Sequence, residues 1–151
     1  MDLAPDFDEF IKSLIAHDVE FVIVGAYALA FHGAPRFTGD LDVFVRPTLE
    51  NASRLLAAVR AFGFPVTEVQ PQDVMDVNRM LQMGIEPVQI HVMSGISGVS
   101  WEEAWHDRTV GPCGRHQVAF LGRETFLRNK RAAARPKDLA DIDALTPGEE
   151  E

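Results

Sequence analysis

The segment from Asp40 to Val45 is the feature that most limits how this chain can fold. Its aliphatic residues, Leu41, Val43 and Val45, recur at every second position. That spacing is the period of a β-strand, whose successive side chains point to opposite faces of a sheet. The segment therefore predicts a strand with an aliphatic face on the core, and it places Asp40 and Asp42 together on the other face.

Helical and strand patterns alternate around this strand. Apolar residues at helical spacing predict helices, and short apolar runs that end near glycine or proline predict strands. The predicted helices cover residues 7–15, 26–31, 49–62, 124–134 and 136–145, with another beginning at Ser100, and the predicted strands cover residues 20–24, 40–45, 80–83, 88–93 and 118–121. This order predicts an α/β (α+β) fold, a small mixed β-sheet flanked by helices.

Length and composition indicate one domain. The chain has 151 residues, 46% of them hydrophobic, which is enough to form one core. We assign residues 1–146 to that domain and residues 147–151 to a solvated acidic tail. No apolar run reaches the roughly 18 residues of a membrane span, so no membrane partner is expected.

Cys113 is the single cysteine of the chain. An internal disulfide is therefore excluded, which favours a reducing, cytoplasmic location. The surrounding residues 111–114, Gly-Pro-Cys-Gly, predict a turn, where a cysteine is usually incidental.

Charge is unevenly distributed along the chain. The formal net charge is −9, yet residues 108–137 contain eight of the 14 basic residues and only one acidic residue, Glu124. A net negative chain is not expected to bind nucleic acid without specificity. The basic segment could contact phosphate groups or form a solvated helical face, and its composition leaves both open.

The pair Asp40 and Asp42 carries the clearest chemical information. Two carboxylates on one face of a strand, roughly 7 Å apart at the backbone, repel each other unless a cation lies between them. Mg²⁺ commonly binds one or two protein carboxylates together with substrate phosphates. The alternative is a pair of solvated aspartates at a strand edge.

Residues before this pair could bind an anion. Gly25 lies where a predicted strand turns into a helix, and a glycine there would let a phosphate approach the backbone. Arg36 could pair with a phosphate, and Thr38 could donate its hydroxyl. Together these residues place a candidate anion site beside the candidate metal site.

The residues in 22–30 (VIVGAYALA) and 36–43 (RFTGDLDV) together resemble the nucleotidyltransferase superfamily, in particular its minimal and AbiEii-like members. The signature of that superfamily is a strand, a Gly-Gly or Gly-Ser turn, a short helix and D-x-D on the next strand. Here Ala26 stands at the second turn position, so a serine hydroxyl is missing. The residues in 127–141 are similar to the carboxy-terminal K…R-x-K-D-x-x-D pattern of AbiEii-like members, and the resemblance spans about residues 7–145.

This resemblance implies a nucleotidyltransferase-like fold and a metal-dependent reaction. A nucleotidyl group would pass from a nucleoside triphosphate to a hydroxyl of RNA such as tRNA, of a protein or of a small molecule. In such enzymes two metal ions, Mg²⁺ or Mn²⁺, bridge the carboxylates and the phosphates, and Asp40 and Asp42 would be the ligands here. The residues expected to contact the nucleotide are Gly25, Ala26, Arg36, Thr38 and Lys130.

A third carboxylate usually follows on a later strand in this superfamily, and the matching position here holds His91. Three interpretations remain open. His91 could bind metal or act as a base; it could mark a catalytically degenerate module that binds nucleotide, for example within a toxin–antitoxin pair; or it could be an ordinary strand residue. The sequence leaves the oligomeric state open.

Overall fold

Six strands form one mixed sheet at the centre of the computed structural model, which describes residues 3–34, 39–85 and 88–146. The strands are β1 Phe21–Val24, β2 Asp40–Val45, β3 Met80–Ile85, β4 Val88–Met93, β5 Thr109–Cys113 and β6 His116–Phe120. The helices are α1 Pro5–Ala16, α2 Gly25–Phe31, α3 Leu49–Phe62, α4 Pro71–Met75, α5 Trp101–His106, α6 Arg123–Ala133 and α7 Pro136–Leu145. The predicted fold class is confirmed.

Strand β2 lies inside the sheet. The strand order is β3-β4-β2-β1-β6-β5. Strand β2 pairs antiparallel with β1 and parallel with β4. Both edges of β2 are therefore hydrogen-bonded to neighbouring strands, which fixes the face to which each of its side chains points.

The core explains why these elements hold together. All four residues of β1 are buried, and α1 packs on α3 through a buried face that includes Phe7, Phe10 and Leu14. Each buried side chain of this size contributes about 1.5–3 kcal/mol relative to an exposed one. Helix α3 ends at Gly63, which has a φ of +106°, a conformation that glycine adopts without steric cost.

Several elements differ from the sequence prediction. The strand predicted over 80–83 extends to Ile85, the short helix α4 was not predicted, and Cys113 belongs to β5 rather than to a turn. The turn prediction was wrong because Gly111 and Pro112 are typical of turns, yet proline is tolerated on an edge strand such as β5.

Burial raises the pKa of Cys113 to about 11, so the thiol stays protonated at neutral pH.

The helices offer no membrane span. Among the described ranges, none combines the length and the hydropathy that crossing a bilayer requires.

Candidate active site

Polar side chains from β2 and β4 meet on one face of the sheet. The parallel register places Asp40 opposite Gln89 and Asp42 opposite His91. Paired residues of neighbouring strands point to the same face. The face predicted to carry Asp40 and Asp42 therefore also carries Gln89 and His91.

His91 contacts Asp42 directly. Its Nδ1 lies 2.9 Å from Oδ1 of Asp42, and because an ionised carboxylate only accepts hydrogen bonds, Nδ1 is the donor. Its Nε2 lies 3.1 Å from Oε1 of Gln89. The His91 ring thus faces Asp42 from the neighbouring strand, as the two functional interpretations of His91 require, and its Nε2 lies beside the Gln89 side chain.

Gly25 lies against the other oxygen of Asp42. It begins α2 directly after β1, with a φ of +67°. A Cβ atom at this position would collide with Oδ2 of Asp42. The predicted strand–turn–helix unit is therefore built directly beside the Asp42 carboxylate, and only glycine fits there. Ala26, the next residue of α2, is buried.

The surroundings of Asp42 shift its pKa in opposite directions. Burial raises the pKa of Asp42, the hydrogen bond and charge of His91 lower it, and the charge of Asp40 raises it. Lys137 also lowers the pKa of Asp42, and the Asp42 charge contributes to the raised pKa of Arg135, after the larger effect of the hydrogen bond from Arg135 to Asp138. The basic segment thus brings two cations within electrostatic range of the site.

Lys130 has a different environment. Its Nζ is 3.2 Å from Oδ1 of Asp138 and 3.3 Å from Oδ2 of Asp141, and all three side chains are buried. Asp138 also accepts a hydrogen bond of 2.7 Å from Nε of Arg135. Lys130 therefore forms its ion pairs inside the protein. Its role as a phosphate contact stays a prediction.

Gln89, Arg135 and Lys137 were not predicted from the sequence to belong to the site. Gln89 could have been found, because it precedes His91 by two residues and so shares its face of the strand. Arg135 and Lys137 flank the start of α7 beside Asp138, and nothing in the local sequence indicates that they approach Asp42. Arg36 and Thr38 lie outside the described residues.

The donor set suits a cation held by two carboxylates. Asp40 and Asp42 provide oxygen ligands from one face of one strand, and Mg²⁺ or Mn²⁺ can complete its coordination with phosphate oxygens and water. Within residues 3–34, 39–85 and 88–146, no three His, Cys, Asp or Glu side chains converge as a metal site. Asp40 and Asp42 therefore fit a metal whose other ligands include the phosphate oxygens of a nucleotide.

Two solved structures share this fold: one is an adenylyltransferase and the other is provisionally described as a nucleotidyltransferase. A Thermotoga maritima protein with that provisional description is 14% identical, over 92% of this chain and 87% of that one, with a TM-score of 0.57. The lincosamide antibiotic adenylyltransferase LnuA, in a lincomycin-bound structure, is 8% identical, over 96% of this chain and 97% of that one, with a TM-score of 0.63. No protein-family model and no curated protein sequence matches the chain. At such low identity the likeness establishes the nucleotidyltransferase-like fold, and the AbiEii-like subtype stays a prediction.

Proposed function

We propose that this protein is a metal-dependent nucleotidyltransferase that moves a nucleotidyl group from a nucleoside triphosphate to a hydroxyl acceptor. The observation that carries the proposal is the contact between the Asp42 carboxylate and the glycine turn at Gly25. A carboxylate beside a glycine turn at the start of a helix can place a cation and a phosphate next to each other. The shared fold with an adenylyltransferase supports the same reaction class.

The residues of the site would have different roles in this reaction. Asp40 and Asp42 would hold Mg²⁺ or Mn²⁺, which supplies charge stabilisation to an in-line displacement when bound. Gly25 would let the triphosphate approach the backbone, and Lys137 and Arg135 would offset its negative charge. The acceptor oxygen would bond to the α-phosphorus while the bond to pyrophosphate breaks, and the hydroxyl proton would leave to solvent.

The acceptor belongs to one of three classes: RNA such as tRNA, a protein side chain or a small molecule. LnuA was solved with lincomycin, a small molecule, which supports including that class here. The direct test is incubation of the protein with labelled nucleoside triphosphates, Mg²⁺ or Mn²⁺ and total cell extract, followed by separation of labelled RNA, protein and small molecules.

Matched variants make this test specific. Asp40→Asn and Asp42→Asn keep side-chain size but remove a charge, so we expect each to abolish labelling and to weaken metal-dependent nucleotide binding. Asp143→Asn changes an exposed aspartate of α7 and should leave both unchanged. Labelling that survives in both site variants would contradict the assignment of the aspartate pair.

A second candidate function is that of a catalytically degenerate module that binds nucleotide without transferring it. Such a module could belong to a toxin–antitoxin pair. The observation that favours it is that His91, with both nitrogens engaged, stands where the resemblance places a carboxylate. This candidate predicts metal-dependent nucleotide binding without transfer of label to any acceptor. His91→Asp would then introduce the missing carboxylate, and gain of labelling in that variant would support degeneracy of the wild-type site.

A further inference from the structure

Strands β4 and β3 continue the site face from Asp42 towards one edge of the sheet. The register pairs Asp42 with His91 and His91 with Gln82, and paired residues of neighbouring strands point to the same face. We call this part of the site face the β3–β4 strip. It carries Gln89, His91 and Met93 on β4 and Met80, Gln82 and Gly84 on β3.

The outer part of this strip is open to solvent, unlike the strand on the other side of Asp42. Met80 is 50% exposed, and Gln82 and Gly84 are exposed as well. By contrast, all four residues of β1 are buried. A molecule that lies along the sheet beside Asp42 therefore finds an accessible surface on β3 and not on β1.

The side chains of the β3–β4 strip suit an uncharged molecule. Met80 and Met93 offer apolar contact that adapts to the shape of a ligand, and the amide of Gln82 can both donate and accept hydrogen bonds. None of the six positions of the strip holds Lys or Arg, the residues with which proteins neutralise the phosphates of RNA. The strip therefore matches a molecule that has hydroxyl groups and an apolar part.

The size of the strip favours a small molecule over a protein. Its three positions on β3 span ~13 Å and its two strands cover ~10 Å, which gives an area of roughly 130 Å². A stable protein partner covers about 800 Å² on each side. The strip is thus too small to bind a folded protein by itself.

We propose that the β3–β4 strip binds the acceptor, and that the acceptor is a small, uncharged molecule with a hydroxyl group and an apolar part. This inference rests on the proposed function, which places the nucleotide at the glycine turn between β1 and α2. In an in-line displacement the attacking oxygen and the leaving oxygen lie on opposite sides of the phosphorus, so the acceptor approaches from the β4 side of Asp42. Met80 and Gln82 then determine acceptor specificity.

The test separates acceptor binding from nucleotide binding. The acceptor source is the low-molecular-weight filtrate of a cell extract, and label from the nucleoside triphosphate should enter this filtrate rather than the retained RNA and protein. Met80→Ala and Gln82→Ala should each raise the filtrate concentration that gives half-maximal labelling about fivefold, while metal-dependent nucleotide binding stays unchanged. Ile85→Ala is the matched control and should alter neither, because Ile85 is an exposed residue of β3 on its opposite face.

A second measurement uses the wild-type protein with ¹³C in its methionine methyl groups. Addition of the filtrate, together with Mg²⁺ and an α,β-methylene nucleoside triphosphate, should shift the resonances of Met80 and Met93. The resonance of Met83, which is buried on the opposite face of β3, should stay in place.

Several outcomes would overturn this inference and leave the nucleotide function intact. They are label confined to RNA or protein, strip variants that weaken nucleotide binding as much as labelling, unmoved Met80 and Met93 resonances, and nucleotide binding without label in any fraction. Absence of metal-dependent nucleotide binding would instead overturn the proposed function, and this inference with it.

Discussion

At the scale of single residues, Asp42 is subject to opposing demands. Burial favours its neutral form, and His91 favours its charged form. The net effect is a raised pKa, so the charged carboxylate is less favourable in the folded protein than in the unfolded chain. The charged Asp42 side chain therefore makes the folded protein less stable than a neutral side chain of the same shape would.

Asp42→Asn should therefore stabilise the metal-free protein at neutral pH. The amide keeps the size of the carboxyl and an oxygen that accepts from His91, but it removes the buried charge and its repulsion with Asp40. Thermal unfolding in the presence of a chelator should give a higher Tm than wild type, while the control Asp143→Asn should not. A lower Tm for Asp42→Asn would show that the ionic contact with His91 outweighs the effect of burial.

Gly25→Ala should reduce both stability and nucleotide binding. A non-glycine residue in the left-handed region costs roughly 1–2 kcal/mol, and the new Cβ would also displace the Asp42 carboxylate. Gly63→Ala is the matched control, because Gly63 also has a positive φ but has no heavy atom within 4 Å of an added Cβ. Chemical denaturation should show destabilisation of both variants, and calorimetric titration should show lost metal-dependent nucleotide binding only for Gly25→Ala.

At the scale of elements, the junction of α6 and α7 depends on a buried ionic cluster. Lys130 from α6 contacts Asp138 and Asp141 from α7. Asp138 is fully buried and accepts hydrogen bonds from the backbone N and the side chain of Arg135. This cluster fixes the junction that carries Arg135 and Lys137, so it positions the cations that act on Asp42.

Lys130→Met should destabilise the protein by about 3–5 kcal/mol, because removing one partner leaves buried carboxylates without their buried cation. Arg131→Met changes the next residue of the same helix, which is exposed, and should shift the unfolding free energy by no more than about 0.5 kcal/mol. Urea denaturation measures both. Equal effects of the two variants would mean that the cluster contributes little.

Asp138 should make stability dependent on acid pH. Burial alone would raise its pKa, but the hydrogen bonds from Arg135 and Lys130 outweigh this effect and lower the pKa from 3.8 to about 2. A lowered pKa stabilises the folded protein above pH 3.8, and this contribution is lost as the pH falls towards 2. Urea denaturation of Asp138→Asn should show a large loss of unfolding free energy at pH 7 that shrinks between about pH 4 and pH 2. A loss that is constant across this range would contradict the assignment.

At the scale of the whole molecule, the basic segment contrasts with a net charge of −9. Within it, Arg131, Arg135 and Lys137 are exposed, whereas Lys130 is buried. Arg128 is paired with Glu103 at 2.6 Å. Fewer cations are thus available to a polyanion than the count in the sequence suggests, and Arg131 on α6 and Lys137 on α7 are among those available.

Salt dependence should reveal whether these cations meet an RNA acceptor. If RNA is the acceptor, affinity for bulk tRNA should fall steeply with salt, because bound phosphates release counterions. Arg131→Ala and Lys137→Ala should each reduce the slope of log affinity against log salt by about 1, and Arg60→Ala on α3 should not. Affinity that stays flat with salt would favour a small neutral acceptor.

The local pattern of the chain determined much of the site. The period of two in β2 placed Asp40 and Asp42 on one face, and the same period in β4 placed Gln89 and His91 on one face. The glycine at position 25 indicated a strand-to-helix turn. These features follow from the geometry of one strand or one turn, so a single sequence is sufficient to predict them.

Tertiary structure decided which of these residues meet. The register that pairs Asp42 with His91, 49 positions later in the chain, depends on how two distant strands pack, and no local pattern encodes it. The partners of Lys130 show the same limit. Its helical spacing from Phe126 and Leu127 already places it on the buried face of α6, but only the packing of α7 supplies the carboxylates that make its burial tolerable. Backbone geometry sets the direction of a side chain locally, whereas its partner depends on long-range packing.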